Sequence, residues 1–172
     1  MYNGVEVIDV IKIPDESERE EKKMPAGGYV CRIVKATSGI NRYDEPCLLL
    51  YLDVEEGEFK NYFGRIYERR LDRGLDVYPC VYKQSVGSRS AKHFARLINA
   101  ITASNDGYVY TGKAGEDWDE TELENLLVGV IFQEKEFVNA RDKTRVIIVP
   151  YALTNVDEIR RGDFAIPGRR YD

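Results

Sequence analysis

The chain of 172 residues is 43% hydrophobic and 32% charged, long enough for one well-cored domain and short for two. Its formal net charge of -5 argues against a protein that coats nucleic acid with its whole surface, while a local basic groove stays compatible with it. No apolar run approaches membrane-spanning length, and the acidic N-terminus lacks the basic and apolar regions of a signal peptide, so a cytoplasmic protein with no membrane partner is expected. Cys31, Cys47 and Cys80 are odd in number and widely spaced, each beside strand-like apolar residues, and read as reduced thiols.

Residues 1–24 hold a short alternating segment, Val5-Glu6-Val7-Ile8-Asp9-Val10-Ile11-Lys12-Ile13, and then a charged run from Asp15 to Lys23. The first reads as an edge strand or a docking segment and the second as a solvated linker. Pro25-Ala26-Gly27-Gly28 punctuates the start of the ordered body, and the β-branched stretch from Tyr29 to Thr37 is the first strand. A turn-rich loop carrying Arg42 and Tyr43 follows.

Cys47 to Phe63 reads as a β-hairpin turning at Glu56-Gly57. Leu48, Leu50, Leu52 and Val54 alternate onto an inner face, and setting Glu55 opposite Glu58 brings Val54 across from Phe59 and Leu50 across from Phe63. The same register turns Tyr51 and Tyr62 outward side by side, and a solvated sheet face gains little from two aromatics unless something docks there. From Lys60 to Arg96 the chain has nine Lys and Arg against three Asp and Glu, so its middle is locally positive. Residues 75–85 read as extended or loop. Phe94, Leu97, Ile98 and Ile101 then fall at helical spacing behind the capping candidates Ser88 and Ser90, ending near Ser104-Asn105.

Asp106 to Asn125 is acidic, with seven Asp and Glu against one Lys, and includes Trp118. Leu127 to Phe137 reads as a buried strand, Asn139-Ala140-Arg141-Asp142-Lys143 as a polar turn, and Thr144 to Val149 as a final long strand. Asn155 can cap a short helix over 156–161, with Gly162 ending it and residues 163–172 as a tail. The predicted organisation is therefore an N-terminal extension over 1–24, a body over 25–154, and a short helix with a tail over 155–172. Strand, strand, strand, helix, strand, strand is the order of the OB-fold, a mainly β, five-stranded Greek-key barrel whose strand 2–3 face binds oligonucleotides or oligosaccharides. A small mixed α+β fold is the alternative.

His93 has no nucleophile or carboxylate partner that the sequence can place beside it, the acidic residues around Asp117 match no calcium loop, and Gly27-Gly28 lacks a phosphate-binding pattern. No catalytic residue, metal ligand or cofactor is expected. What remains is aromatic residues interleaved with basic ones. Tyr51, Tyr62 and Tyr67 would stack bases, while Arg65, Arg69, Arg70, Arg42, Arg141, Lys143 and Arg145 would contact phosphates, with Tyr43 beside Arg42. In an OB-fold these groups converge on one groove for single-stranded DNA.

Pro25-Ala26-Gly27-Gly28-Tyr29-Val30, the run from Asp53 to Phe63, Leu127-Val128-Gly129-Val130 and the run from Val156 to Pro167 resemble, in that order, the signature stretches of a bacteriophage and prophage family of small early-region proteins. Members of that family are usually of uncharacterised function and are often grouped with single-stranded DNA-binding or recombination proteins. The resemblance covers most of residues 25–167 and implies an OB-fold-like body and a role in phage DNA replication or recombination in a bacterial host. It differs at Asn139-Ala140-Arg141-Asp142-Lys143, where an Asn-Asp-Gly-Lys turn is usual, and it does not extend to the segment before Pro25. The competing reading is a protein–protein interaction module of the replication or recombination machinery, in which the tyrosines form a subunit interface of a homo-oligomer and the acidic face is the active one. An enzyme acting on nucleic acid comes third.

Overall fold

The computed structural model describes residues 22–112 and 117–171, so the alternating segment over 5–13 and most of the charged run lie outside the described residues. The first strand, β1 (Gly27–Ile40), buries Val30, Cys31, Ile33 and Ala36, and a bulge between Ile33 and Lys35 shifts its register against β2 (Pro46–Val54). Extra residues of this kind bend a strand and increase its twist. On β2 the expected inner face is present: Leu48, Leu50, Leu52 and Val54 are all buried.

The expected return arm of the hairpin is not a strand. After Val54 the chain turns through Phe59 into a helix, α1 (Tyr62–Asp72). The cause lies on β2. Asp53 Oδ1 accepts the backbone N–H groups of Val54 and Phe63, both at 2.9 Å, and its Oδ2 accepts that of Gly64 at 3.0 Å. A carboxylate from a neighbouring strand thus satisfies the first free donors of the helix and sits at the positive end of its dipole. Phe59, Tyr62 and Phe63 are buried at this junction, with Phe63 stacked on Phe132 at 5.6 Å.

Beyond α1, residues 81–85 pair with β2 as β3 (Val81–Ser85), where an extended stretch or loop was expected. A 3-10 turn (Ser88–Ser90) leads into α2 (Ala91–Ser104), which buries Leu97, Ile98 and Ile101 as its spacing predicts. The Asn105 side chain fixes the end of α2 to the sheet: it donates to the carbonyls of Ile101 and Leu127, each at 2.7 Å, and accepts the Leu127 N–H at 2.8 Å.

Two long strands, β4 (Leu127–Val138) and β5 (Thr144–Thr154), form the expected hairpin. α3 (Val156–Arg161) starts at Asn155, whose side chain accepts the Asp157 N–H, and stops at Gly162, whose φ of 73° is left-handed. The tail that follows is strapped to the sheet. Its β6 (Arg170–Tyr171) runs parallel to Lys135 and Glu136, Arg169 reaches Glu134 and Glu136 at 3.0 Å each, and Gln133 donates to the Gly168 carbonyl at 2.9 Å.

The result is mainly β: one antiparallel sheet in the order β3-β2-β1-β4-β5, with β6 added beside β4. The chain order is strand, strand, helix, strand, helix, strand, strand, helix, strand, and does not open with the run of three strands expected. β3 and β5 are the two ends of the sheet, which is open; among the described residues no pairing closes it into a barrel. The core lies where α2 and the loop around Leu123 cover the sheet, with Ile33, Leu50, Leu52, Ile101, Leu123 and Phe132 fully buried.

Candidate nucleic-acid interface

Tyr51 stands on β2 on the side opposite Leu48, Leu50 and Leu52, level with Lys35 of β1 and Val81 of β3. The Lys35 ammonium lies 5.3 Å from the centre of the Tyr51 ring, within range of a cation–π attraction. Tyr78 meets Tyr51 edge to face at 5.7 Å, and Tyr67, arriving from α1, meets Tyr78 at 5.2 Å. Each of the two outer tyrosines is held by its hydroxyl. Tyr78 donates to the Leu52 carbonyl at 3.0 Å and Tyr67 to Asp76 Oδ1 at 2.6 Å.

These rings line a concavity of about 750 Å³ whose wall also includes Arg32, Lys35, Asp53 and Asp76. Burial pushes the Tyr78 hydroxyl well above its usual range, and the hydrogen bond to Asp76 raises that of Tyr67. Burial likewise raises the Asp53 carboxyl above its ordinary value, against the opposing pull of three backbone N–H groups and Arg32. Both outer tyrosines are therefore neutral hydrogen-bonding rings at physiological pH. The guanidinium of Arg32 is shared with Glu55 at 2.9 Å.

The expected Tyr51–Tyr62 platform is not formed. Tyr62 is the first residue of α1 and is buried, packed against Phe59 at 5.8 Å and Phe63 at 5.2 Å, because α1 replaces the strand that would have set it beside Tyr51. Arg65, Arg69 and Arg70 follow on the same helix. Arg65 donates to the Lys60 carbonyl at 2.6 Å and Arg70 to that of Val77 at 3.0 Å, so both also fasten loop backbone around α1.

The other candidate cations sit on two turns. In the turn after β1, Asn41 Oδ1 accepts the N–H groups of Tyr43 and Glu45, and the Arg42 guanidinium lies 5.3 Å over the exposed Tyr43 ring. In the β4–β5 turn, Asn139 Oδ1 accepts the N–H groups of Arg141 and Lys143, leaving those two side chains and Arg145 exposed. The register separates these turns. Ile40 pairs with Pro46 at one end of β1, whereas Gly27 pairs with Phe132 at the other end and β4 runs on beyond it. Of the expected site residues, Tyr51 and Tyr67 are thus brought together around one concavity; Arg65, Arg69 and Arg70 lie on the adjoining helix outside its lining, and the two turns leave opposite ends of β1.

Three contributors escaped sequence reasoning. Lys35 and Arg32 become neighbours of Tyr51 and Asp53 only through the β1–β2 register, and Tyr78 lies in an irregular stretch before Pro79 where no periodicity marks it. Among the described residues no three His, Cys, Asp or Glu side chains gather as a metal site, His93 is exposed, and Cys31, Cys47 and Cys80 are buried free thiols. No described helix is long and apolar enough to cross a membrane. No model of a known protein family and no curated protein matches the chain.

Proposed function

We propose that the chain binds single-stranded DNA in a sequence-tolerant manner on the β1–β2 surface flanked by α1, as a protein of phage replication or recombination acting in the cytoplasm of a bacterial host. The observation that carries this reading is the tyrosine-lined concavity with the Lys35 ammonium over Tyr51. Single-strand binders combine aromatic faces for bases with cations for phosphates, and each stacked base contributes roughly 1–3 kcal/mol. Tyr51 and Tyr67 supply the rings and Lys35 the nearest cation, with Arg65, Arg69 and Arg70 along the adjoining helix. Arg42 with Tyr43, and Arg141, Lys143 and Arg145, extend the path at its ends. The residues that resemble the phage family support the same role, and on this reading the open sheet is a variation on the OB design, which also binds strands on its sheet face.

The test is binding of labelled oligo-dT, with duplex DNA alongside, over a salt series. Affinity for oligo-dT should exceed that for duplex, and its logarithm should fall with log salt by about 0.7 per phosphate contact.

A further inference from the structure

A second concavity, of about 740 Å³, lies at the opposite end of β2 from Asp53, between α2 and the chain segment ending at Glu120. Leu48 and Ile98 line it, and Phe94, Tyr110 and Trp118 close it as an aromatic wall. Phe94 and Tyr110 lie 6.1 Å apart, Phe94 and Trp118 6.1 Å, and Tyr110 and Trp118 5.0 Å, all edge to face. The charged groups on its lining are Asp117 and Glu120; among the described residues no lysine or arginine lines it.

The wall is built in advance. Glu122 accepts the hydroxyls of Tyr108 and Thr111, both at 2.5 Å, which anchors the chain two residues before and one residue after Tyr110, and Asp119 accepts the Thr121 N–H at 3.0 Å directly after Trp118. An aromatic and aliphatic floor under carboxylates repels phosphate and favours a ligand that is apolar in its middle and cationic at its sides. Partner chains that meet such grooves seat one large side chain in the aromatic wall and place charges of opposite sign at the rim.

We propose that this groove docks a short basic-apolar peptide segment of a partner protein. One aromatic or aliphatic side chain lies against Phe94 and Trp118, and flanking lysine or arginine side chains meet Asp117 and Glu120. The site is separate from the tyrosine concavity and stands whether or not DNA binds there.

Trp118 is the single tryptophan of the chain, so its fluorescence reports on this groove alone. The probe is the peptide Lys-Leu-Lys-Phe-Lys-Leu-Lys, titrated into the full chain, with oligolysine as the control lacking apolar side chains. The expected result is a saturable blue shift of Trp118 emission with the first peptide and none with oligolysine. The double variant Asp117→Asn/Glu120→Gln, which changes only rim side chains, should bind roughly fivefold more weakly, the combined effect of two exposed ion pairs. Absence of a shift, or equal binding by the double variant, would each overturn the proposal. A shift produced by diluting the protein alone would also overturn it, because a second copy would then be the occupant.

Discussion

Asp53 on β2 and Gly64 on α1 are joined by a 3.0 Å hydrogen bond, and a Cβ added to residue 64 would lie 2.8 Å from the same carboxylate oxygen. The close approach explains a glycine in the first turn of a helix, where alanine is otherwise favoured by about 1 kcal/mol. Gly64→Ala should therefore destabilise the fold by a net of about 1–2 kcal/mol, overpacking and a lengthened hydrogen bond outweighing the gain in propensity. Asp53→Asn should cost about 1–3 kcal/mol, since its amide turns a donor toward backbone donors. Urea unfolding of the two variants checks both values, and neutral behaviour of both would contradict the capping account.

Tyr62 separates the strand and helix versions of this region. Truncating a buried aromatic costs about 3–5 kcal/mol, so Tyr62→Ala should lower the melting temperature sharply. Any loss of DNA binding by that variant should track its unfolded fraction and vanish when only folded protein is counted. A stable Tyr62→Ala protein with weakened binding would place the ring on the surface.

How far the sequence reveals this arrangement is decided in the same few residues. The inner face of β2 is legible because Leu48, Leu50, Leu52 and Val54 alternate without interruption; α2 and the β4–β5 hairpin are legible through periodicity, although Ser90 at the start of α2 makes no side-chain capping bond, and α3 through its Asn155 cap. Phe59 and Phe63 are spaced by four, which fits one face of a strand and one face of a helix equally well. Tyr62 and Ile66 complete a helical stripe, but the deciding contact is the Asp53 carboxylate arriving from another element, which no local pattern contains. For the site, Tyr51 and Tyr67 could be singled out as aromatic residues among cations, yet their neighbours Tyr78 and Lys35 follow only from the fold.

Glu122 makes one region pH-sensitive. Burial pushes its carboxyl up, but hydrogen bonds from Thr111 and Tyr108 outweigh this and hold it below the ordinary value of 4.5. A carboxyl depressed in the folded state contributes stability that is present above its ordinary value and lost as pH falls through the depressed one. The stability difference between the unsubstituted chain and Glu122→Gln should be constant above about pH 5.5 and shrink as the pH drops through and below 4.5. Thermal melts of both proteins across this range check it; a difference that grows on acidification would contradict the assignment.

Lys35 is the cation nearest the Tyr51 ring, and its removal should report on phosphate contact more than on folding. Lys35→Gln should weaken oligo-dT binding at low salt and make the salt dependence shallower by about 0.7 in slope, one contact's worth. An unchanged slope would assign the lysine to ring packing alone.

Base stacking on Tyr51 is the claim on which the proposed function rests, and the most direct measurement is the affinity of Tyr51→Ala for labelled oligo-dT beside the unsubstituted chain, at low salt, with folding followed through Trp118 emission. The expected result is micromolar or tighter binding by the unsubstituted chain and a loss of roughly 1–3 kcal/mol, about fivefold to more than a hundredfold, in a folded variant. Equal affinities, or no oligo-dT binding by the unsubstituted chain at micromolar concentration, would contradict it.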